Sequence, residues 1–578
     1  MYESKNAKSI GWGIPMKVMM SVRTSGVILA FSALFQLQTA NAASGMIDKG
    51  SIHFAYSDRG ISGLANPEDP FGARVTPSDR PLGLVVRYKV GENQWTDLNT
   101  RESRMEASPE TGTVKYADSA PGGLLNVLQT FKTDGVVLDW MIDLETATAS
   151  AVTIGDLAID VPSIGPRGED PKQIFERGFV RHQFVSGNGS FIYFVRASGA
   201  PPFLIITVHP GTKLEYFVGD RGGALHYIHF GMSGDNEKRG TWRQEHTFLR
   251  LGRVGAKDSK VHYGFRFQWA KSYDELRGVL YKEGLFDIRV VPGMSVPEDL
   301  TARFALHTRA RIDSIQAEFP EQTRITNLGE RQPGYHLYKV AFKRLGENIL
   351  TINHDGGRKT YLEYFVTEPI ETLIKKRSSY IINRQQIRDP SKWWDGVFGP
   401  YDMKNKVVRT IEDPDIFKGR MVYVLTCDDP GLSKAPYVAE KNVSFPDQRE
   451  IEGLEYYLQH FVWGKLQRTD QEIPYPYGVY GTPEWYTNHD PERRAKYTKD
   501  NLDKMHVWRS YDYPHIVMLY YHMYEIAKKY PKMSKYLDAA GYLERAYQTA
   551  HAFYIYPYEI FSSYYKPING VSITNSSC

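Results

Sequence analysis

From about residue 47 to residue 270 the sequence offers strand-sized runs and no pattern long enough for a packed helix. Residues 84–90 (LVVRYKV), 136–144, 191–197 (FIYFVRA), 203–209 (FLIITVH) and 262–269 (HYGFRFQW) are rich in β-branched and aromatic side chains. Many alternate with polar residues, and Gly, Pro, Asn or Asp separate them. Without helices between them, such strands cannot build parallel βαβ units. The expectation is a large antiparallel sandwich over residues 43–285. Residues 60–67 (GISGLANP) read as a turn between strands, without the helix a phosphate loop needs.

Residues 272–284 (SYDELRGVLYKEG) break the pattern. Their apolar residues fall at helical spacing, and Ser272 followed by Glu275 forms a capping box. Alternation returns at 303–308, 335–342, 348–353 and 360–366, with Asp355-Gly356-Gly357 as a hairpin turn. Residues 286–366 therefore read as a small immunoglobulin-like β sandwich. At 367 the chain changes character. Residues 367–387 read as a linker helix with Pro369 near its first turn. Residues 388–446 look irregular, and 447–466, 514–530 and 533–554 carry a helical period. The fold class is thus multidomain, β then α. The last region, 388–578, reads as part of an (α/α)6-toroid-like domain. Its helices fall short of the roughly twelve that six hairpins need, so the toroid is expected to be truncated.

The N-terminus adds a destination. Lys17 and Arg23 precede an apolar core beginning at Val27, and Ala40-Asn41-Ala42 is a small-x-small cleavage site. Residues 1–42 are expected to be upstream sequence and a signal peptide cleaved near Ala42, giving an exported periplasmic or extracellular protein. No later segment is apolar enough to span a bilayer, so no membrane association is expected after cleavage. A net charge of +4 argues against nucleic acid as a partner. Two cysteines, Cys427 and Cys578, cannot make a disulfide framework.

The 76 aromatic residues (27 Phe, 39 Tyr, 10 Trp) are not spread evenly. They cluster in 392–402 (KWWDGVFGPYD), 475–486 (YPYGVYGTPEWY) and 508–515 (WRSYDYPH), each with carboxylates and Gly or Pro. Flat rings cover the apolar C–H face of a sugar, and carboxylates or guanidinium groups bind its hydroxyl rim. A carbohydrate partner follows. Hydrolysis of a glycosidic bond needs two carboxyl groups, an acid with a raised pKa and a base or nucleophile. Glu484 and Asp512 are the expected catalytic pair, with Asp395, Asp402, Asp429 and Asp490 in reserve. Trp393, Trp394, Trp485, Tyr486, Trp508, Arg509 and His515 are the expected substrate-binding residues. Turn and helix-capping roles are the plainer alternative for each acid. No cofactor and no metal site is expected, since HExxH, paired CxxC and EF-hand patterns are absent from the sequence. Asn188 and Asn442 head glycosylation sequons of the kind that arise by chance.

Segments 63–72 (GLANPEDPFG), 272–300, 392–403 (KWWDGVFGPYDM), 475–488 (YPYGVYGTPEWYTN) and 508–516 (WRSYDYPHI) carry a resemblance. Over residues 47–558 the chain resembles six-hairpin glycosidases, in which a β supersandwich and a linker helix precede an α/α toroid. Within them it looks like a secreted family filed as a domain of unknown function. The resemblance implies a carbohydrate-active protein, foremost a glycoside hydrolase acting on a poly- or oligosaccharide. A polysaccharide lyase, for which Tyr, His and Arg are plentiful, is an alternative, although its toroid usually precedes its sandwich. A non-catalytic carbohydrate-binding or truncated inactive relative is the other.

Overall fold

The structure, a computed structural model, describes residues 44–98, 100, 103–168, 170–219, 224–236, 246–410, 412–413, 431–480, 507 and 509–561. The expected signal segment and cleavage site lie outside these residues.

Antiparallel sheets dominate the first two thirds. A three-stranded sheet (Gly45–Lys49, Ile52–Ser57, Gly60–Ala65) opens the chain. The segment expected as a turn at 60–67 is therefore mostly strand: Ile61 and Leu64 are buried, and their apolar side chains outweigh the turn signal of the glycines. A six-stranded sheet includes Gly83–Val90, Val152–Asp160 and Ala224–Phe230. An eight-stranded sheet runs, in spatial order, from Phe179–Phe184 through Phe191–Arg196, Phe203–Val208, Lys260–Ala270, Val137–Thr146 and Leu125–Thr133 to Thr113–Ser119 and Arg104–Ser108. Period-2 alternation fixes which side faces in. On Val137–Thr146, Leu138, Trp140, Ile142 and Leu144 are buried while Asp139, Met141 and Asp143 are half-buried on the other face. These sheets share one hydrophobic core extending from Ile47 to Leu285.

The motif 63–72 has a structural task. The Asp69 carboxylate meets the Arg196 guanidinium at 2.5 Å, both nearly inaccessible. Phe71 and Phe179 lie 4.8 and 5.1 Å from that guanidinium, and the Glu176 carbonyl accepts from its Nη1. A buried cation needs such complete pairing.

Two four-stranded sheets follow, around a second core from Phe286 to Val366. One holds Asp287–Val291, Ala302–His307, Tyr335–Phe342 and Thr323–Gln332. The other holds Ser295–Pro297, Arg358–Thr367, Gly346–His354 and Ile312–Ala317. Ser295–Pro297 runs parallel to its neighbour, a departure from the antiparallel rule. The hairpin at Asp355-Gly356 forms as expected, with both residues at positive φ (47° and 72°).

Seven helices lie among the described residues: α1 (Gly231–Asn236), α2 (Tyr273–Lys282), α3 (Ile370–Tyr380), α4 (Lys434–Ser444), α5 (Gln448–Tyr457), α6 (Tyr513–Lys529) and α7 (Ala539–Phe561). Ser272 caps α2 by accepting the Glu275 N–H, and the Glu275 carboxylate returns to the N–H of Lys271. Both α3 and α5 end in a wider π turn (Ile381–Gln385 and Leu458–Val462), so each is shorter than its sequence period suggests. α4 falls where an irregular segment was expected. The last four helices and the π turn after α3 share a third core, from Ile381 to Ala552. No helix among the described residues is long and apolar enough to cross a membrane.

Candidate functional site

α5 and its π turn carry Tyr456 and His460, four residues apart and hence on one helical face. Their rings stack at 4.0 Å with planes 14° apart. The strap at residues 392–398 lies against them. Ile387 N–H donates to the Val397 carbonyl and Gly396 N–H to the Ile387 carbonyl, both at 2.8 Å. Gly396 has φ +93°, and a Cβ there would come within 3.4 Å of the Tyr456 carbonyl. Glycine thus allows both the turn and the close approach.

That approach delivers Asp395 to the helix. Its carboxylate, 2 % exposed, accepts from Tyr456 Oη at 2.8 Å and from Asp389 N–H at 2.8 Å. His460 Nδ1 lies 3.3 Å from the same carboxylate. Nδ1 faces the carboxylate, which leaves Nε2 as the nitrogen available to a ligand, and the side chain is 39 % exposed. Burial and the bond to Asp395 push the Tyr456 phenol up, so it stays a neutral donor. Cations surround the group. The Arg388 guanidinium sits 4.4 Å from the Tyr456 ring centre. Lys392 pairs with Glu412 and lies 5.3 Å from the Trp394 ring. The Lys465 ammonium is pushed down by burial and partly restored by Asp395.

The expected site residues divide into three groups. Glu484, Trp485, Tyr486, Asp490, Asp429 and Trp508 lie outside the described residues. Asp395 is brought to the Tyr456–His460 face, and Trp393 and Trp394 precede it in the strap. Trp393 and Trp394 meet edge to face at 5.2 Å. Trp394 is buried in the helical core, whereas Trp393 is only partly covered. Asp512, Arg509 and His515 gather at the start of α6. Asp512 is fully buried, 3.4 Å from Arg509, and His515 is half-buried in the first turn. Asp402 stands apart. It accepts from Arg409 at 2.5 and 3.1 Å and from Asn405, and these donors hold its carboxyl well below the ordinary range. An acid held ionised in this way is no proton donor at neutral pH.

Tyr456 and His460 escaped sequence reasoning, which sought chemistry in the aromatic loops. The available signal was their i, i+4 spacing inside a segment already read as helical. Both sequon asparagines have structural partners: Asn442 is buried and donates to Glu450, and Asn188 donates to the Thr212 carbonyl. No cluster of three or more metal-ligating side chains occurs among the described residues.

The chain finds no match among curated proteins. Among solved structures it superposes on a polysaccharide lyase with a TM-score of 0.63 at 16 % identity, covering 90 % of this chain and 69 % of that one. This likeness is one of fold: antiparallel β sheets followed by a smaller helical region. A bacterial glucoamylase complexed with acarbose (13 % identity, 41 % of this chain, 33 % of that one) and a GH36 α-galactosidase from Geobacillus stearothermophilus (10 %, 42 % and 42 %) match at TM-scores of 0.26, too low to inform the fold further. The profile described as "Family of unknown function (DUF5695)" matches residues 241–566. That span is more than half of the sequence, and the chain belongs to this family.

Proposed function

We propose that this protein is an exported, carbohydrate-active enzyme that cleaves a uronate-bearing polysaccharide by β-elimination at the Tyr456–His460 face. The observation that carries this reading is the Asp395–His460 pair, a buried carboxylate 3.3 Å from Nδ1 of an accessible imidazole. Such a pair is the positioned base of acid–base catalysis. His460 Nε2 takes the proton from C5 of the uronate. The C–H electron pair forms the C4–C5 double bond, the C4–O bond breaks, and the imidazolium returns its proton to the leaving oxygen. Asp395 stabilises the imidazolium. Arg388 supplies positive charge for the uronate carboxylate, which makes the C5 proton easier to remove. The fold-level likeness to a polysaccharide lyase supports the reaction class, because it joins that activity to sheets that precede the helices.

Hydrolysis by Glu484 and Asp512 on a six-hairpin scaffold is the second reading, supported by the aromatic loops around both residues. One experiment separates the two. The purified protein is incubated with polygalacturonate, alginate and hyaluronan, and ultraviolet absorbance and reducing ends are followed together. Elimination yields both signals. Reducing ends without new absorbance would establish hydrolysis instead. Binding without either signal would make the protein a carbohydrate-binding one.

A further inference from the structure

Several enclosed guanidinium groups in this fold take a carboxylate: Arg196 has Asp69, Arg266 has Asp139, Arg409 has Asp402 and Arg509 has Asp512. Arg545 on α7 departs from this. It is half-buried, yet no acid pairs with it among the described residues. Glu544, its neighbour in sequence, is held by Gln548 at 2.8 Å instead. Aromatic rings take the place of the acid. The guanidinium carbon lies 3.7 Å from the Trp463 ring centre, 5.2 Å from that of Tyr536 and 5.8 Å from that of Tyr520. At 3.7 Å from its centre the cation lies on the face of the indole, not at its edge. Nη1 donates to Tyr536 Oη at 3.0 Å. None of the other guanidinium nitrogens is a buried donor left without a partner, so their N–H groups reach solvent.

Trp463 joins Arg545 to the face already described. Tyr456, His460 and Trp463 are part-exposed, while Tyr457, Leu458, Phe461 and Val462 between them are buried. The three therefore share the open side of α5 and its π turn. Tyr456 carries the Arg388 guanidinium as Trp463 carries that of Arg545. Arg388 bonds to Gln386 Oε1 and likewise makes no ion pair among the described residues. Two cations, each laid on a ring, thus belong to the residues before and after His460. The helical rise from Tyr456 to Trp463 is about 10 Å, within the reach of a short stretch of sugar chain.

We propose that Arg545 is a second carboxylate-binding position of the Tyr456–His460 face, so that the substrate carries uronates on both sides of the cleaved bond. This deepens the elimination reading and rests on it. A guanidinium stacked on a ring keeps its edge N–H groups for the two oxygens of a carboxylate. Arg388 serves the uronate that loses its C5 proton, and Arg545 holds another uronate of the same chain and so sets its register. A neutral sugar there would leave Arg545 unpaired, which makes the position selective. The plainer role of Arg545 is to fasten α7 to the end of α5 through Trp463. Loss of such a pillar lowers stability and does not distinguish an acid from its ester.

The test is calorimetric titration of the whole protein carrying His460→Ala, so that no ligand is consumed. The probes are trigalacturonate, trimannuronate and a hyaluronan tetrasaccharide, each beside its neutral methyl ester. Saturable binding of at least one acid is expected, tighter than that of its ester. Adding Arg545→Gln should narrow this preference by about tenfold, and Arg545→Lys, which keeps the charge but not the planar fork, should fall between. The lysine variant keeps the test decisive if the glutamine variant unfolds. An unchanged preference in both variants, or binding of none of the acids, would overturn the proposal. Because no turnover is needed, these titrations judge Arg545 even if His460 is not the base. That reading fails separately, if the wild type yields no new ultraviolet absorbance.

Discussion

At the scale of single residues, burial separates the acids by task. Asp395 is enclosed, with both carboxylate oxygens engaged, so it cannot itself approach a sugar. His460 can. The proposal therefore makes His460 the reacting residue and Asp395 its positioning partner. His460→Ala should lower kcat by about 10²–10⁴-fold, the usual cost of losing a general base. Asp395→Asn should lose a large part of that while KM stays near the wild-type value, because the imidazole loses its orienting charge but no substrate contact is removed. Tyr456→Phe deletes one hydrogen bond to Asp395 and should cost no more than about tenfold. Steady-state kinetics on whichever polymer is cleaved would show this ranking, and equal activity in His460→Ala would refute the assignment. This pair was hard to see from sequence because nothing in a helical period distinguishes a core Tyr and His from an exposed pair. Asp395 was within reach, since it sits in an aromatic strap, but its partner lies 65 positions along the chain. Only the fold brings them together.

Elements were more legible than sites. Strands such as Gly83–Val90 and Tyr335–Phe342 follow from alternation alone, because one face is buried and the other wet. α4 did not follow, for a physical reason. Its buried positions include Lys434, Lys441 and Asn442, so its inner face does not read as apolar. Lys441 and Asn442 turn inward to donate to Glu450 at 2.8 Å each, and Ser378 completes the group at 2.5 Å. A second polar group can be tested through pH. Asp139 and Arg266 face each other across paired strands, with contacts of 2.8 and 3.2 Å, and His209 Nε2 lies 2.9 Å from the same carboxylate. Burial alone would raise the Asp139 carboxyl, but His209 and Arg266 outweigh it and bring it down to about 2. A carboxyl depressed by folding adds stability above its unfolded value, and the gain is lost as the pH falls through the folded value. The drop corresponds to roughly 2 kcal/mol, which solvent screening at a half-open site reduces to about 1 kcal/mol. Asp139→Asn should therefore unfold more easily than the wild type at pH 7. The difference should shrink to a small remainder by about pH 2, where the Asp139 carboxyl is half protonated in the folded protein, and vanish only below it. Denaturant midpoints at the two pH values would measure it, and a constant gap would show that packing, not charge, sets the effect.

For the whole molecule, the question is how the two β cores are held together. The hydrophobic clusters divide between Leu285 and Phe286, yet the chain ties them a second time through a distant loop. Ser186 accepts the Tyr361 N–H and donates to its carbonyl, both at 2.7 Å, while Asn188 N–H donates to the Lys359 carbonyl at 2.9 Å. These bonds require backbones in near contact. Gly187 sits at φ +58°, and a Cβ there would fall 2.6 Å from the Lys359 carbonyl oxygen, a backbone atom that no rotamer change can move. Gly199 provides the control. It has a comparable φ of +74° but open space around its absent side chain. Gly199→Ala should cost only the left-handed backbone term, roughly 1–2 kcal/mol. Gly187→Ala carries the same term and must also displace the 359–361 strand, so it should cost several kcal/mol in total. Its further signature should be a loss of cooperativity, with the two β cores unfolding at separate temperatures and new protease cleavage near residues 285–300. Differential scanning calorimetry of both variants beside the wild type would decide the point. If Gly187→Ala matched Gly199→Ala in midpoint and kept the wild-type transition shape, the 186–188 contact would be incidental. The covalent crossing near Leu285 would then be enough to couple the two cores.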